Sequence, residues 1–186
     1  LVSDAGTPLV SDPGYRLVNE VVAAGHRVFP IPGASAALAA LTLAGLPTDR
    51  FLFAGFPPTR SAARRTFLAE FASVKATLIF YETGPRLRAS LKDMLAVFGP
   101  REAAVARELT KLYETAVRGT LDQLATDSAL DEPKGEIVVL VGPGVEQAAS
   151  EDDADRALAE AMSRLPLGEA ASEVAKSLGL NRRDLY

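Results

Sequence analysis

The segment ATLIFYETGPRLRASLKDMLAVFGP, residues 76–100, combines the two periodicities that define an α/β fold. Its first seven residues are mostly apolar or β-branched, which predicts a buried strand over 76–82. From Pro85 onward apolar residues recur every three or four positions, which predicts a helix that ends at Phe98, before a Gly-Pro pair. A strand followed directly by an amphipathic helix is the repeating unit of α/β proteins.

The sequence on both sides of this segment continues the alternation. Further strands are predicted at 1–3, 26–32, 50–58, 102–108, 112–119 and 135–142. Further helices are predicted at 13–25 and 33–45, after Ser61, after a capping box formed by Thr120 and Gln123, and in the tail. The fold class is therefore α/β.

Loop prolines and an acidic run divide the chain into three predicted parts. Residues 1–49 are expected to be the remainder of an N-terminal α/β domain, and 50–148 a C-terminal α/β domain with a mixed sheet. Residues 149–186 are expected to form an acidic linker and a helix-turn-helix-like tail, incomplete at Tyr186. Because the chain opens on Leu1, within what reads as the end of a strand, we expect further sequence to precede it.

Composition excludes several classes of function. The 186 residues are 48% hydrophobic and 24% charged, with no run of about eighteen apolar residues that would predict a membrane span. There is no cysteine and only one histidine, His26, so thiolate metal sites and a Ser-His-Asp triad are not expected. The absence of cysteine fits a reducing compartment, and we expect a cytoplasmic protein. The net charge of −4 means that any nucleic-acid binding has to be local.

Two Ser-Asp-x-Gly turns lie within the first fourteen residues, at 3–6 and 11–14. The second precedes a helical pattern, with Asp12 as the predicted N-cap, and needs no ligand. The first follows an apolar segment, and the loop 32–35 follows the next predicted strand. Because open α/β sheets bind ligands at the carboxyl ends of their strands, these two loops predict one crevice. Spacing alone leaves a structural interpretation of both loops equally open.

Several separated segments, in order, resemble the tetrapyrrole methylase (class III methyltransferase) superfamily, and within it the family that methylates small-subunit ribosomal RNA. They are LVSDAGTPLVSDPGYRLV, PIPGASAALAALTLAGLPTDRFLFAGFPP, LIFYETGPRL, AVARELTKLYET, RGTLDQL and KGEIVVLVG. The resemblance implies two α/β domains with S-adenosylmethionine as cofactor between them. It also implies 2′-O-methylation of a cytidine ribose in ribosomal RNA or the assembled small subunit, by a homodimer.

The resemblance assigns residues to the site. It implies cofactor contacts at Asp4, Gly6, Thr7, Ser35, Ala36, Tyr81, Ala106 and Gly135. For the chemistry we expect Lys111 either to stabilise the developing alkoxide as an ammonium or to act, when neutral, as the base. Glu108 and Glu114 are expected to orient it. The alternative is that these charges form only a solvated hairpin.

Local positive charge is predicted to contact RNA. The candidates are Arg60, Arg64, Arg65, Arg86, Arg182 and Arg183. Solvated surface is the alternative for each. Two other functions stay open: a methyltransferase of the same superfamily with another substrate, and a nucleic-acid-binding module that acts through the tail.

Overall fold

The computed structural model describes residues 1–3, 6–144 and 151–178. The chain forms two compact units, Leu1–Gly144 and Val145–Tyr186. Residues on both sides of the predicted boundary at residue 49 belong to the first unit. That boundary remains a prediction. No helix in the described ranges is long and apolar enough to cross a membrane.

The first unit is built on a mixed sheet of five strands in the order β1-β2-β5-β3-β4. The strands are β1 (Phe51–Gly55), β2 (Thr77–Thr83), β3 (Glu102–Arg107), β4 (Thr115–Thr120) and β5 (Glu136–Val141). β1 and β2 are parallel, whereas the other neighbouring pairs are antiparallel. The α/β fold class, and strands close to those predicted between residues 50 and 142, are thus confirmed.

The helices of the first unit are α1 (Tyr15–Ala23), α2 (Ala36–Leu43), α3 (Ser61–Ala69), α4 (Gly84–Phe98) and α5 (Leu121–Thr126). α4 begins one residue before its predicted start and ends at the predicted residue. The capping box at the start of α5 is present, with the side chains of Thr120 and Gln123 both bonded to backbone. The second unit contains α6 (Glu151–Met162) and α7 (Leu167–Leu178).

The two faces of the sheet differ in what covers them. The face that packs against α3, α4 and α5, here called the sealed face, carries Leu78, Phe80, Ala103, Val105, Ile137, Val139 and Val141. The opposite face, here called the α2 face, carries Ile79, Tyr81, Ala104, Ala106, Val138 and Leu140, packed against α2. Because side chains alternate along a strand, each central strand contributes to both faces.

The N-terminal region differs from its prediction. Residues 1–3 and 26–32 form no strand, so those two predictions are wrong. A strand needs a hydrogen-bonded neighbouring strand, and neither segment belongs to the sheet that the described residues form. Val2 and Ile31 are 91% and 83% exposed. α1 forms where predicted, but none of its residues is buried.

Two predicted local features also need correction. The N-cap of α1 is Gly14, with φ of 133°, rather than Asp12. Asp12 instead accepts a hydrogen bond from the Ser3 hydroxyl, which ties the two Ser-Asp-x-Gly turns together. The acidic run expected to be a linker is helical from Glu151 onward, since it forms the first turns of α6. Residues 146–150 lie outside the described residues.

Candidate active site

The two polar loops predicted to share a crevice do lie together. The Thr7 hydroxyl donates a hydrogen bond to the Ala34 carbonyl over 3.1 Å. A side chain at Gly6, where φ is 68°, would contact the same carbonyl. Ser35 is the N-cap of α2, and its hydroxyl accepts from the Leu38 amide at 3.5 Å. Asp4 lies outside the described residues.

Tyr81, Val138 and Ala106 form one row across three neighbouring strands. Tyr81 of β2 is paired with Val138 of β5, which is paired in turn with Ala106 of β3. All three belong to the α2 face. Two predicted cofactor contacts from separate parts of the sequence are therefore close together, on the face that α2 covers.

The Tyr81 hydroxyl lies where several elements meet. Burial raises its pKa, a hydrogen bond with the Ala37 backbone acts in the opposite direction, and the charges of Glu136 and Asp12 raise it further. Like any phenol, the hydroxyl keeps its proton at neutral pH and is able to donate it in a hydrogen bond. The start of α2 thus contacts this hydroxyl, and charges of the second turn and of the start of β5 act on it.

Aromatic rings extend this surface. Phe53 and Phe56 both meet the Tyr81 ring edge to face, with centroids 4.8 Å and 5.4 Å away. Phe56 is half exposed. These rings give an apolar surface beside a few polar groups, which is the usual character of a small-molecule site, whereas Ala106 is fully buried.

The loop between β3 and β4 holds Lys111 between two carboxylates. Its Nζ lies 2.9 Å from Glu108 Oε1 and 3.0 Å from Glu136 Oε2. These hydrogen bonds raise the pKa of Lys111. A hydrogen bond with the Glu136 backbone and one from Lys111 lower the pKa of Glu108. Lys111 is therefore held in its charged form, which argues against its acting as a neutral base.

The second carboxylate on Lys111 is Glu136 rather than the predicted Glu114. Glu114 Oε2 instead accepts a hydrogen bond from the Thr110 amide at 2.6 Å, within the loop itself. Sequence reasoning missed Glu136 because it lies 25 positions from Lys111. The one available sequence signal for Glu136 was its position at the start of a buried strand. A charged side chain at such a position is expected to face solvent.

Gly135 has a neighbour within the chain. Its φ is 98°, a conformation that favours glycine, and a Cβ there would lie 2.3 Å from Glu108 Oε1. The space beside Gly135 is therefore taken by the Glu108 carboxylate. The absence of a side chain at position 135 leaves room for Glu108. The resemblance instead implies that Gly135 contacts the cofactor.

Two arginines predicted to contact RNA are paired with groups of the protein. Arg64 is 3% exposed; it pairs with Asp93 Oδ2 at 2.7 Å and also donates to the carbonyls of Pro58 and Thr59. Arg86 pairs with the buried Glu82 and donates to the Pro57 carbonyl. A guanidinium that satisfies acceptors of the protein is less free to neutralise phosphate, which argues against an RNA contact by either residue.

The remaining basic candidates differ in placement. Arg60 is exposed at the N-cap of α3. The side chain of Arg65 is 56% exposed, although its Nε lies 2.6 Å from Asp93 Oδ1. Arg182 and Arg183 lie outside the described residues.

The second unit contains the helix predicted for the tail. α6 and α7 pack together through Ala161, Ala170 and Val174, and Arg164 pairs with Glu173 at 2.7 Å. Ala170 is fully buried. No group of three or more His, Asp or Glu side chains suited to a metal ion is found in the part of the chain that the structure describes.

Comparison with known families defines the class of protein. Residues 1–125 match the family model described as Tetrapyrrole (Corrin/Porphyrin) Methylases. Residues 148–186 match the model described as RsmI C-terminal HTH domain. The chain belongs to the tetrapyrrole methylase family.

Curated relatives are similar over the whole chain and are named Ribosomal RNA small subunit methyltransferase I. The one from Mesorhizobium japonicum is 54% identical over 100% of this chain and 64% of its own length. The one from Xylella fastidiosa is 48% identical over 100% of this chain and 70% of its own length. The chain thus spans less than two thirds of the first of these relatives.

Solved structures share the fold. CobJ, a methyltransferase, has a TM-score of 0.54 and 22% identity, over 74% of this chain and 62% of its own. Diphthine synthase has a TM-score of 0.55 and 19% identity, over 74% and 57%. Uroporphyrin-III C-methyl transferase from Thermus thermophilus, complexed with S-adenyl homocysteine, has a TM-score of 0.50 and 24% identity, over 74% and 62%. The predicted tetrapyrrole-methylase-like fold is confirmed.

Proposed function

We propose that the chain carries out S-adenosylmethionine-dependent 2′-O-methylation of a cytidine ribose in small-subunit ribosomal RNA. The observation that carries this proposal is similarity along the entire chain, at 54% and 48% identity, to relatives named for that class of substrate. The match of residues 148–186 to a helix-turn-helix model supports a nucleic-acid substrate over a tetrapyrrole.

The residues of the two polar loops and of the α2 face fit the proposed cofactor. The hydroxyls of Thr7, Ser35 and Tyr81 supply polar contacts, and the first turn of α2 supplies backbone amides. Ala36 is partly exposed and small enough for a ligand to approach the backbone closely. Ala106 is fully buried, and a contact there is proposed on the resemblance alone. We therefore propose cofactor contacts at Asp4, Gly6, Thr7, Ser35, Ala36, Tyr81 and Ala106.

The protein's task in this reaction is to position the ribose and to ease loss of the hydroxyl proton. When bound, S-adenosylmethionine would supply an electrophilic sulfonium methyl group for the 2′-oxygen, with the neutral thioether as leaving group. Lys111 is the proposed catalytic residue, with its ammonium directed at the 2′-oxygen to stabilise negative charge as the proton leaves to solvent.

The partners follow from the same proposal. RNA contacts are assigned to Arg60, Arg65, Arg182 and Arg183, since Arg64 and Arg86 are occupied internally. The substrate is ribosomal RNA or the assembled small subunit, the protein acts as a homodimer, and the compartment is the cytoplasm.

The test is methyl transfer by the protein in its full natural length. Labelled S-adenosylmethionine is incubated with unmethylated small subunits, and the RNA is digested to nucleosides for mass spectrometry. We expect label in 2′-O-methylcytidine, and a loss of that label with Lys111→Ala. Label in a tetrapyrrole or a protein, with none in RNA, would show another methyltransferase of the family. RNA binding without transfer would show a binding module.

A further inference from the structure

We propose that Glu136 and Glu108 are positioning residues that hold the Lys111 ammonium toward the reacting ribose oxygen, and that Gly135 serves methyl transfer through Glu108. This inference rests on the proposed function and deepens it. It assigns a role to Glu136, a residue to which neither the sequence pattern nor the family resemblance assigned one. It also moves Gly135 from a cofactor contact to a support for the ammonium.

The two carboxylates come from neighbouring strands of the sheet. Glu108 directly follows β3 and Glu136 begins β5, and these strands are paired. Lys111 Nζ contacts one oxygen of each, at 2.9 Å and 3.0 Å. Among the described residues these contacts use two of the three N–H donors of an ammonium. The loop lysine is thus fixed to the sheet, with one donor left for a substrate oxygen.

Glu108 is itself fixed by backbone contacts with Glu136. The Glu108 amide donates to the Glu136 carbonyl at 3.0 Å, and the Glu136 amide donates to Glu108 Oε1 at 2.9 Å. Glu108 adopts a φ of 50°, which is uncommon for a residue with a side chain. These contacts direct its carboxylate across the Cα of Gly135.

A side chain at position 135 would displace that carboxylate. An added Cβ would lie 2.3 Å from Glu108 Oε1 and 2.4 Å from Glu108 Cδ, well inside contact distance. The backbone conformation at position 135, with a φ of 98°, is also unfavourable for alanine. Glycine here is therefore explained by the Glu108 carboxylate alone, without a ligand near the backbone.

The carboxylate pair adjoins the row of residues proposed to bind the cofactor. Glu136 lies two positions before Val138 on β5, so both side chains point to the α2 face, about 7 Å apart along the strand. Val138 is the middle residue of the row with Tyr81 and Ala106. The charge of Glu136 also contributes to the raised pKa of Tyr81. Lys111 is thus anchored at the end of this row.

Exposure of the cluster makes the proposal testable without unfolding the protein. The side chains of Lys111 and Glu136 are 46% and 65% exposed. Ion pairs exposed to this degree add little to stability, because water and salt screen them. Neutral variants at these positions should therefore fold, and a loss of activity would reflect the position and charge of the ammonium.

A double-mutant cycle tests whether Glu136 acts through Lys111. Wild type, Glu136→Gln, Lys111→Met and the double variant are compared in single-turnover methyl transfer to small-subunit RNA, at saturating cofactor. Lys111→Met should slow transfer about 100-fold and Glu136→Gln about 10-fold, with the double variant no slower than Lys111→Met. Affinity for S-adenosylhomocysteine, measured by calorimetry, should change less than about twofold, because neither residue contacts it.

A second cycle tests the role of Gly135. Gly135→Ala should slow transfer as much as Glu108→Gln, and combining Gly135→Ala with Glu108→Ala should add nothing to Glu108→Ala alone. Glu102→Gln, at the other end of β3, is the matched control and should leave the rate unchanged. Thermal unfolding of every variant checks that the proteins are folded.

The outcomes separate this inference from the function on which it rests. Additive losses in either cycle, or a Gly135→Ala variant that loses affinity for S-adenosylhomocysteine, would overturn the positioning roles while leaving the methyltransferase intact. A wild-type protein that transfers no methyl group to small-subunit RNA would overturn both.

Discussion

The two faces of the central sheet are built from the same strands but differ in what they bury. On β2, Phe80 on the sealed face is fully buried under three helices, whereas its neighbour Tyr81 on the α2 face is only partly covered. The sealed face carries large aliphatic and aromatic side chains. The α2 face carries Ala104 and Ala106, and Glu136 lies at its edge.

One sheet thus contributes both to a hydrophobic core and to a proposed ligand site. Alternation along a strand lets one residue add to the core while the next faces a ligand. Substitutions on the sealed face should therefore cost stability and spare binding, whereas substitution of the Tyr81 hydroxyl, at the partly exposed end of the α2 face, should do the reverse.

The largest expected effect is on the sealed face, at Phe80. Phe80→Ala should lower the free energy of unfolding by about 3–5 kcal/mol, because it removes a fully buried ring beside Phe71 and Phe98. Urea denaturation measures this. Phe56→Ala is the matched control, with an expected cost of about 1 kcal/mol because half of that ring is already exposed. Equal losses for both variants would contradict the difference between the faces.

Asp93 of α4 pairs with Arg64 and Arg65 of α3. Its substitution should lower the free energy of unfolding nearly as much. Asp93→Asn should cost about 3 kcal/mol at pH 7, because it leaves the buried Arg64 without its carboxylate. Asp131→Asn, which removes the more exposed pair with Arg88, should cost less than about 1 kcal/mol. Urea denaturation of both variants provides the comparison.

The Asp93 effect should depend on pH. Burial tends to raise the pKa of Asp93, but hydrogen bonds from Arg65, Ser61 and Arg64 outweigh it and hold the pKa below its usual value. A lowered folded pKa gives stability that is present above the unfolded pKa of about 3.9, and lost as pH falls through the folded value. The gap between wild type and Asp93→Asn should narrow below about pH 4. A constant gap from pH 7 to pH 2 would refute this.

On the α2 face, Tyr81→Phe should spare stability and weaken binding. Loss of a donor hydroxyl should raise the Kd for S-adenosylhomocysteine about five- to tenfold, while the free energy of unfolding changes by less than about 1 kcal/mol. Calorimetry and urea denaturation measure the two quantities. Tyr15→Phe, at an exposed ring on α1, is the control. Unchanged affinity together with a large loss of stability would make Tyr81 a core residue.

The smallest effect belongs to the capping box of α5. Thr120→Ala should lower the free energy of unfolding by about 1 kcal/mol, because the side chain no longer accepts from the helix backbone. Methyl transfer should be unchanged, since α5 packs on the sealed face. A slowed reaction in a stably folded variant would connect this face to the chemistry.

Sequence predicted the elements between residues 50 and 142 well, because their apolar periodicity comes from burial on the sealed face. α4 shows this most clearly, with Leu87, Leu91 and Met94 all fully buried. The strand prediction at 26–32 failed because apolar composition does not supply a neighbouring strand.

The site was predicted in part. The meeting of Thr7 with Ala34 agrees with the predicted grouping of the two polar loops, although the strands expected before those loops do not form. The pairing of Glu136 with Lys111 depends on strand register, which local pattern does not encode. Arg64 looked like a surface charge near a helix start, because its carboxylate partner is 29 residues away.

Hydrogen exchange of the full-length protein with and without S-adenosylhomocysteine tests most directly whether the α2 face is the ligand face. We expect slowed exchange at the loop 33–35 and the first turn of α2, with α3 and α4 unchanged. Slowed exchange confined to α3 and α4, or no change anywhere at saturating ligand, would contradict the account.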